Sequence, residues 1–491
     1  MDLEKRLGLI KQVGEEILTE EELRSLLETK THPIAYDGFE PSGKLHIAQG
    51  IMRAINVNKM LSVGVHFKMW VADWFGWMNN KMGGDLEKIH TVGKYQIEVW
   101  KACGMKTKEI EFLWTSEVIA KNPEYWKRTM NIARSNSVAR IIRCAQIMGR
   151  SETENLSAAQ IFYPCMQASD IFELKADITQ LGMDQRKVNI LARETGPKLG
   201  LWKPVVVSHH MLMGLIRSQY AADKVQSVIK KFNQIFEKID EISEKHVTLL
   251  SYESSSSNIA KIAKERLKEL KIFREWLNKI DKISGGLSDK SAANLEKISY
   301  LYDTLEKCFD NVLNLLELLR NRVKEIKDYN DLHDVPIVTE AAILGDLEST
   351  FGFIKEKVKE FELTLKMSKS IPDSAIFMDD STDEIKRKIS KAFCPEKIIE
   401  ENPILEYCRY LIFEKFKTFK IERPQKFGGS LELASFDELA KIYSEGKLHP
   451  TDLKNAVAIY IDKMISPVRK HFSSGSAKKL LEQVRGFEVT R

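Results

Sequence analysis

Apolar positions along the chain fall into distinct textures. In residues 1–30 they recur at helical spacing, at Leu3, Leu7 and Ile10 and then at Ile17, Leu23, Leu26 and Leu27. This predicts a charged, helical N-terminus without the apolar core of a signal peptide. From about Thr31 to Leu215, short apolar runs (Ile34-Ala35-Tyr36, Val65 to Ala72, Val205-Val206-Val207) alternate with helical stretches. That alternation predicts an α/β unit with a parallel sheet. From about Ile216 to Leu365, Lys, Glu, Ile and Leu dominate, with helical spacing at Val225, Ile229, Phe232, Phe236, Ile239 and again at Leu305, Phe309, Val312, Leu315, Leu316, Leu319. Breaks at Tyr252 to Asn258, Ser284-Gly285-Gly286 and Tyr329 to Pro336 divide this stretch into four helices, most simply an antiparallel bundle. An even number of antiparallel helices returns the chain to where it left, which suits insertion into a loop of another domain.

After Ile371 the chain is mixed helical and polar, with its main turn at Arg423-Pro424-Gln425-Lys426-Phe427-Gly428-Gly429 and amphipathic helices expected at Thr451 to Phe472 and Ala477 to Val484. No stretch approaches the roughly 20 uninterrupted apolar residues of a membrane helix, so a soluble, cytoplasmic protein is expected. At 491 residues the chain has room for about three domains. The six cysteines are scattered without CxxC spacing, which indicates reduced core residues rather than disulfides or a zinc site. Against 70 acidic side chains stand 75 basic ones, and a net charge of +5 does not announce a nucleic-acid binder, though it permits one whose basic groups are local.

Two constellations carry chemistry. In Tyr36-Asp37-Gly38-Phe39-Glu40-Pro41-Ser42-Gly43-Lys44-Leu45-His46-Ile47-Ala48-Gln49-Gly50, an apolar strand end enters a Pro-Ser-Gly turn and then a helix. Backbone N–H groups and a histidine at that helix start can face a phosphate. Taken alone, such a turn is more often an ordinary strand–helix connection. The second is Lys366-Met367-Ser368-Lys369-Ser370, whose ammonium groups could meet a charged leaving group. Taken alone, it reads as a solvated loop.

Together these segments resemble the two signatures of class I aminoacyl-tRNA synthetases. The extended first motif, with Tyr163-Pro164-Cys165-Met166-Gln167-Ala168-Ser169-Asp170 and Gly182-Met183-Asp184-Gln185-Arg186-Lys187, is similar to tyrosyl-tRNA synthetases of the archaeal and eukaryotic type, as is the tail from Arg423 to Gly429 and Leu448 to Val457. The resemblance implies a Rossmann-like catalytic domain over residues 1–215 with its N-terminal helix, an inserted helical bundle at 216–365, the KMSKS loop region at 366–380 and a helical anticodon-binding domain at 381–491. It implies ATP-dependent activation of L-tyrosine and transfer to tRNA(Tyr), by a homodimer. ATP is then a substrate accompanied by magnesium, with no metal held by the protein itself.

Residue by residue, the resemblance assigns Tyr36 and Asp170 to reading the phenol and Tyr163, Gln167 and Gln185 to holding the substrate's ammonium and ring edge. Tyr163, Gln167 and Asp170 stand at i, i+4 and i+7, on one face of a helix. Apolar Phe162, Met166 and Ile171 beside them argue against a solvated polar face. A pocket with buried partners for a hydroxyl rejects phenylalanine because those partners would remain unpaired; tyrosyl enzymes are themselves the standard case, at about 10⁵. Gly43, His46, Gln49, Lys366, Ser368 and Lys369 are assigned to ATP, with His46, Lys366 and Lys369 stabilising charge as it moves to pyrophosphate. Phe427, His449 and Asp452 are assigned to the anticodon.

There are departures from the family pattern. Ala48 and Gln49 stand where the class signature has Gly and a second His. Asp73 could touch the ammonium or cap a helix, and His209-His210 looks metal-like although neighbours on a strand point to opposite faces. The bundle's mixed charge, without a basic stripe, weighs against tRNA binding and predicts no catalytic role. It could be a lineage-specific binding insertion, a spacer or an engineered fusion. Two alternatives remain open at this level: a tryptophan-specific relative, disfavoured by Asp170 with Tyr36, and an RNA-binding or scaffold protein whose catalysis the insertion impairs.

Overall fold

A computed structural model describes residues 1–148, 156–216, 372–400 and 402–487. The predicted bundle after Ile216 and the Lys366 to Ser370 motif, with Lys366, Ser368 and Lys369, lie outside the described residues.

The apolar runs become strands β2 (Ile34–Phe39), β3 (His66–Val71) and β6 (Val205–His209), joined by β1 (Gly14–Leu18), β4 (Ile110–Trp114) and β5 (Ile178–Thr179). They form one sheet in the order β1-β6-β5-β2-β3-β4. Every pairing is parallel except that of β1 with β6, so the predicted parallel sheet carries an antiparallel edge. The N-terminus also differs from the all-helical expectation: helices Leu3–Lys11 and Glu20–Thr29 flank β1, whose Gly-Glu-Glu-Ile-Leu sequence is too polar to announce a strand. Helices cover both faces, and Phe67, Met69 and Trp70 of β3 are almost fully buried, as parallel sheets require.

From β2 the chain goes to β3 and β4 on one side, then returns to β5 and β6 on the other. The carboxyl ends of β2 and β5 therefore border a topological switch point, where open α/β sheets bind ligands. Both the Glu40 to His46 turn and Gln180 to Gln185 leave the sheet there.

In the C-terminal region, helices Pro450–His471 and Gly475–Arg485 lie within two residues of their predicted limits. The short strands β7 (Phe419–Ile421) and β8 (Leu431–Leu433) pair across the predicted turn. This region docks on the helix Leu86–Ala102: Phe472 packs on Tyr95 with ring centroids 5.4 Å apart, and His471 meets Glu98 at 2.6 Å. The two regions share one hydrophobic core.

Described residues on either side of positions 217–371 lie together. Leu215 donates its N–H to the carbonyl of Ser374 at 2.8 Å and accepts from Phe393 at 2.7 Å. Beyond Ser374 the chain joins the first signature: Ile47 donates to Ile376 at 2.8 Å, Met378 donates to Leu45 at 3.0 Å, and His46 bridges Phe377. Thus the chain that follows the Lys366 to Ser370 motif by a few residues is fastened to the histidine-bearing turn.

Candidate active site

The first signature folds as its residues dictate. Gly43, at φ 106°, takes the left-handed region that other residues enter at a cost, and it turns the chain from β2 toward the helix. The helix opens with a π-helical turn, Ala48–Met52, before the regular Arg53–Ser62. Gly50 allows that turn to press on the returning segment, since a Cβ there would stand 2.6 Å from Met378 Sδ. His46 is half-buried at the start of this helix, and Gly50 donates to its carbonyl at 2.9 Å. Gln49 is half-buried; its carbonyl accepts from Trp100 Nε1 at 2.8 Å. Lys44 pairs with Asp379 at 3.1 Å, and Arg485 of the last helix reaches the same carboxylate at 2.8 Å.

On the other wall, the helix Ala158–Glu173 starts at a Ser157/Gln160 capping box and presents Tyr163, Gln167 and Asp170 to the sheet. Met166 and Ile171 are buried as expected, but Phe162 is 39% exposed, on the outer face of the helix. Asp170 is fully buried; Tyr125 Oη donates to its Oδ1 at 2.8 Å and Trp70 Nε1 to its Oδ2 at 3.1 Å. Burial pushes the Asp170 carboxyl well above the usual range, against the pull of these two donors. Tyr36, on β2, is also buried, and burial together with the nearby Asp170 charge pushes its phenol well up. Its hydroxyl lies beside Gln167 without a well-aligned hydrogen bond.

Tyr163 donates to Glu40 Oε1 at 2.5 Å and packs edge-on against Phe75 at 4.7 Å. Gln167 donates to Gln185 Oε1 at 3.0 Å, and Gln185 donates to the Ile147 carbonyl at 3.2 Å. Five predicted residues, Tyr36, Tyr163, Gln167, Asp170 and Gln185, are thus linked in one polar-lined region at the switch point. Glu40 belongs to it as well, held by Tyr163 and by Asn79 at 3.2 Å, although only its place in the first motif could have signalled this.

Asp73 is turned to structure. It is fully buried and accepts from the Ser116 and Trp74 backbones at 3.0 and 2.9 Å, from the Ser116 hydroxyl and from His90 at 2.8 Å. This is the capping alternative: its carboxylate closes the start of the helix Thr115–Ile119. The two histidines do face opposite ways. His209 is half-buried against Arg53 and Gln180, at 3.1 and 3.2 Å, and desolvation there holds its imidazole well below the ordinary value. Arg53 also meets Asp37 at 2.5 Å, a contact of charges rather than an aligned hydrogen bond, and burial outweighs Arg53 in raising the Asp37 carboxyl to about 6. His210 sits between Glu15 and Glu406, at 3.3 and 3.1 Å, stacked on Tyr410. Burial alone would lower it, but the two carboxylates outweigh burial and raise it to about 9.

At the far end, Arg423 donates to the Gly429 and Lys447 carbonyls at 2.7 and 2.6 Å, which ties the turn containing Phe427 to the start of the long helix. His449 caps that helix by accepting from Thr451 N–H at 3.1 Å, and Asp452 lies in its first turn.

The family of class I tRNA synthetases for tryptophan and tyrosine matches residues 28–274 and 337–466. A cytoplasmic tyrosine–tRNA ligase of Arabidopsis thaliana is 38% identical over 493 aligned positions, covering all of this chain and 90% of the relative. The chain belongs to the tyrosyl-tRNA synthetases of class I. A tyrosine–tRNA ligase of Thermococcus kodakarensis is 31% identical, with both chains covered in full. The crystal structure of a tyrosyl-tRNA synthetase from Pyrococcus horikoshii, complexed with L-tyrosine, superimposes with a TM-score of 0.66 at 28% identity, covering 99% of this chain and all of that one. The synthetase is therefore a tyrosine–tRNA ligase with a Rossmann-like catalytic sheet and a helical C-terminal region, and the tryptophan-specific alternative falls away. The family match pauses between residues 274 and 337, inside the stretch whose composition suggests an insertion.

Proposed function

We propose that L-tyrosine lies between Tyr36 and Asp170, its phenol read by both, with Tyr163, Gln167, Gln185 and Glu40 around its ammonium. The observation that carries this reading is Asp170: a fully buried carboxylate whose two oxygens are each held by one uncharged donor. A buried acceptor of this kind strongly favours a ligand that brings a hydroxyl.

In the first step of the reaction, a tyrosine carboxylate oxygen attacks the α-phosphorus of ATP and pyrophosphate leaves. In the second, a terminal ribose hydroxyl of tRNA(Tyr) attacks the tyrosyl carbonyl and AMP leaves. Neither step requires a covalent enzyme intermediate, so orientation and charge stabilisation carry the catalysis. Gly43, His46 and Gln49 face the nucleotide from the first signature, and Lys366, Ser368 and Lys369 complete the site from the second. The fastening of residues 376–378 to Leu45 and Ile47 supports that pairing. Among the described residues no three His, Cys, Asp or Glu side chains gather as a metal site. Magnesium is proposed as the companion of the ATP phosphates, and no step is assigned to it.

Phe427, His449 and Asp452 are proposed to meet the anticodon, where a splayed loop offers bases for stacking and guanine N–H groups for a carboxylate. A homodimer is proposed, as the family resemblance implies; Met130 and Val138, 60% and 65% accessible on the helices Pro123–Arg134 and Val138–Cys144, are exposed apolar side chains that an interface would cover. No helix among the described residues is long and apolar enough to cross a membrane, and a cytoplasmic location accords with the Arabidopsis relative. The segment 216–365 is given no part in catalysis. Replacing it with a short Gly-rich bridge should leave tyrosine-dependent ATP–pyrophosphate exchange within about threefold, a barrier change below 1 kcal/mol; loss of exchange by a folded product would assign that segment a catalytic role. On the full chain, exchange that does not depend on tyrosine would overturn the proposed pocket.

A further inference from the structure

The phenol-reading carboxylate does not stand alone. Asp170 projects from the helix Ala158–Glu173, while its partners come from elsewhere: Tyr125 from the helix Pro123–Arg134 and Trp70 from β3. All three are at most 2% exposed. Tyr125 has a single phenolic proton and two acceptors in reach, the Asp170 Oδ1 at 2.8 Å and the Met166 carbonyl at 3.2 Å. The shorter bond to a carboxylate is the stronger. The Tyr125 backbone is itself fixed, its carbonyl accepting from Thr129 at 3.0 Å and Ser169 at 3.4 Å. Arg128, one turn along the same helix, is engaged with Glu173 at 3.0 Å.

We propose that Tyr125 and Trp70 are the positioning residues of tyrosine selection: by each donating to one oxygen of Asp170, they aim its carboxyl group so that the remaining lone pairs accept the substrate phenol. This rests on the tyrosine reading of the pocket given above. A carboxylate buried in apolar surroundings drifts toward its neutral acid, which offers a proton where an acceptor is needed. Hydrogen bonds to the charged form oppose that drift, and two donors from separate elements also remove the rotational freedom of the side chain. The other groups facing Asp170 do not replace them: the Tyr36 and Tyr163 phenols line the pocket, and Glu173 and Arg128 oppose each other in charge. Phenylalanine presents no hydroxyl, so its activation draws nothing from this arrangement.

The test is ATP–pyrophosphate exchange by the full chain with tyrosine and with phenylalanine, for Tyr125→Phe, Asp170→Asn and the double variant. Tyr125→Phe keeps the ring and removes one donor. Its KM for tyrosine should rise about tenfold, the scale of one hydrogen bond to a charged group, while kcat/KM for phenylalanine stays within about twofold. In the double variant, Tyr125→Phe should add almost nothing to the loss caused by Asp170→Asn, because it acts through that carboxylate. Equal losses for both amino acids, or a loss that adds in full to Asp170→Asn, would overturn the proposal and leave Tyr125 a packing residue. If Tyr125→Phe does not fold, Trp70→Phe makes the same test on the other oxygen. Asp170→Asn that discriminates as well as the wild type would instead overturn the tyrosine reading of the pocket, and this inference with it.

Discussion

The proposed tyrosine pocket and the proposed anticodon end of the same chain hold their polar groups in opposite ways. In the pocket, Asp170, Tyr36 and Tyr125 are at most 1% exposed, and both Asp170 oxygens and Glu40 Oε1 are held by donors from other elements. At the proposed anticodon end, the His449 side chain is 61% exposed and accepts from the Thr451 backbone N–H at 3.1 Å, and Glu396, 3.5 Å from it, is 66% exposed. Burial raises the cost of an unpaired group, so a buried pocket can reject a ligand for lacking one hydroxyl. Exposed groups carry less energy each and suit a loop of RNA that is read by several contacts at once. On the proposed reading, the contrast places all-or-none chemical selection at the sheet and graded recognition in the tail.

Substitutions can break that contrast. The largest effect is expected from Asp170→Ala, which should cut the preference for tyrosine over phenylalanine in pyrophosphate exchange by about 10³-fold or more. Next is Arg53→Met, which strands the buried Asp37 that Arg53 meets at 2.5 Å and removes the donor to Gln180 and His209. Losing one member of a buried ion pair costs about 3–5 kcal/mol, to be read as a fall in the denaturant midpoint.

A smaller effect concerns His210, which joins the end of β6 to Glu15 and to Glu406 of the C-terminal region. Its folded value of about 9 lies above the ordinary 6.5, so its stabilisation is complete below pH 6.5 and fades as pH rises through 9. The shift corresponds to an upper bound of about 3 kcal/mol. Urea midpoints measured from pH 6 to 10 should therefore fall in the wild type and fall less in His210→Gln. The smallest effect is expected from His449→Ala: a rise of about tenfold or less in the KM for tRNA, about 1.4 kcal/mol, with pyrophosphate exchange unchanged. A large change in exchange would break the division between the two regions.

How much of this was legible in the sequence depended on length scale. Strands β2, β3 and β6 are apolar runs and announce themselves, whereas β5 is two residues long and β7 and β8 three each, too short for any periodicity. Tyr163, Gln167 and Asp170 share a helix face, so local spacing found them. Tyr125 and Trp70 meet Asp170 across 45 and 100 residues of chain, and only the packed fold brings them there. The fate of Asp73 was undecidable for the same reason: its choice of capping depends on Ser116, 43 residues away. Phe162 misled because an apolar residue beside a buried face may itself lie on the outer one, as its 39% exposure shows.

On the proposed reading, a buried, oriented acceptor selects tyrosine. The most direct measurement of that selection is the ratio of kcat/KM for tyrosine and phenylalanine in ATP–pyrophosphate exchange by the full chain. A ratio of about 10⁴ or more is expected; comparable values for the two amino acids would rule out selection by Asp170.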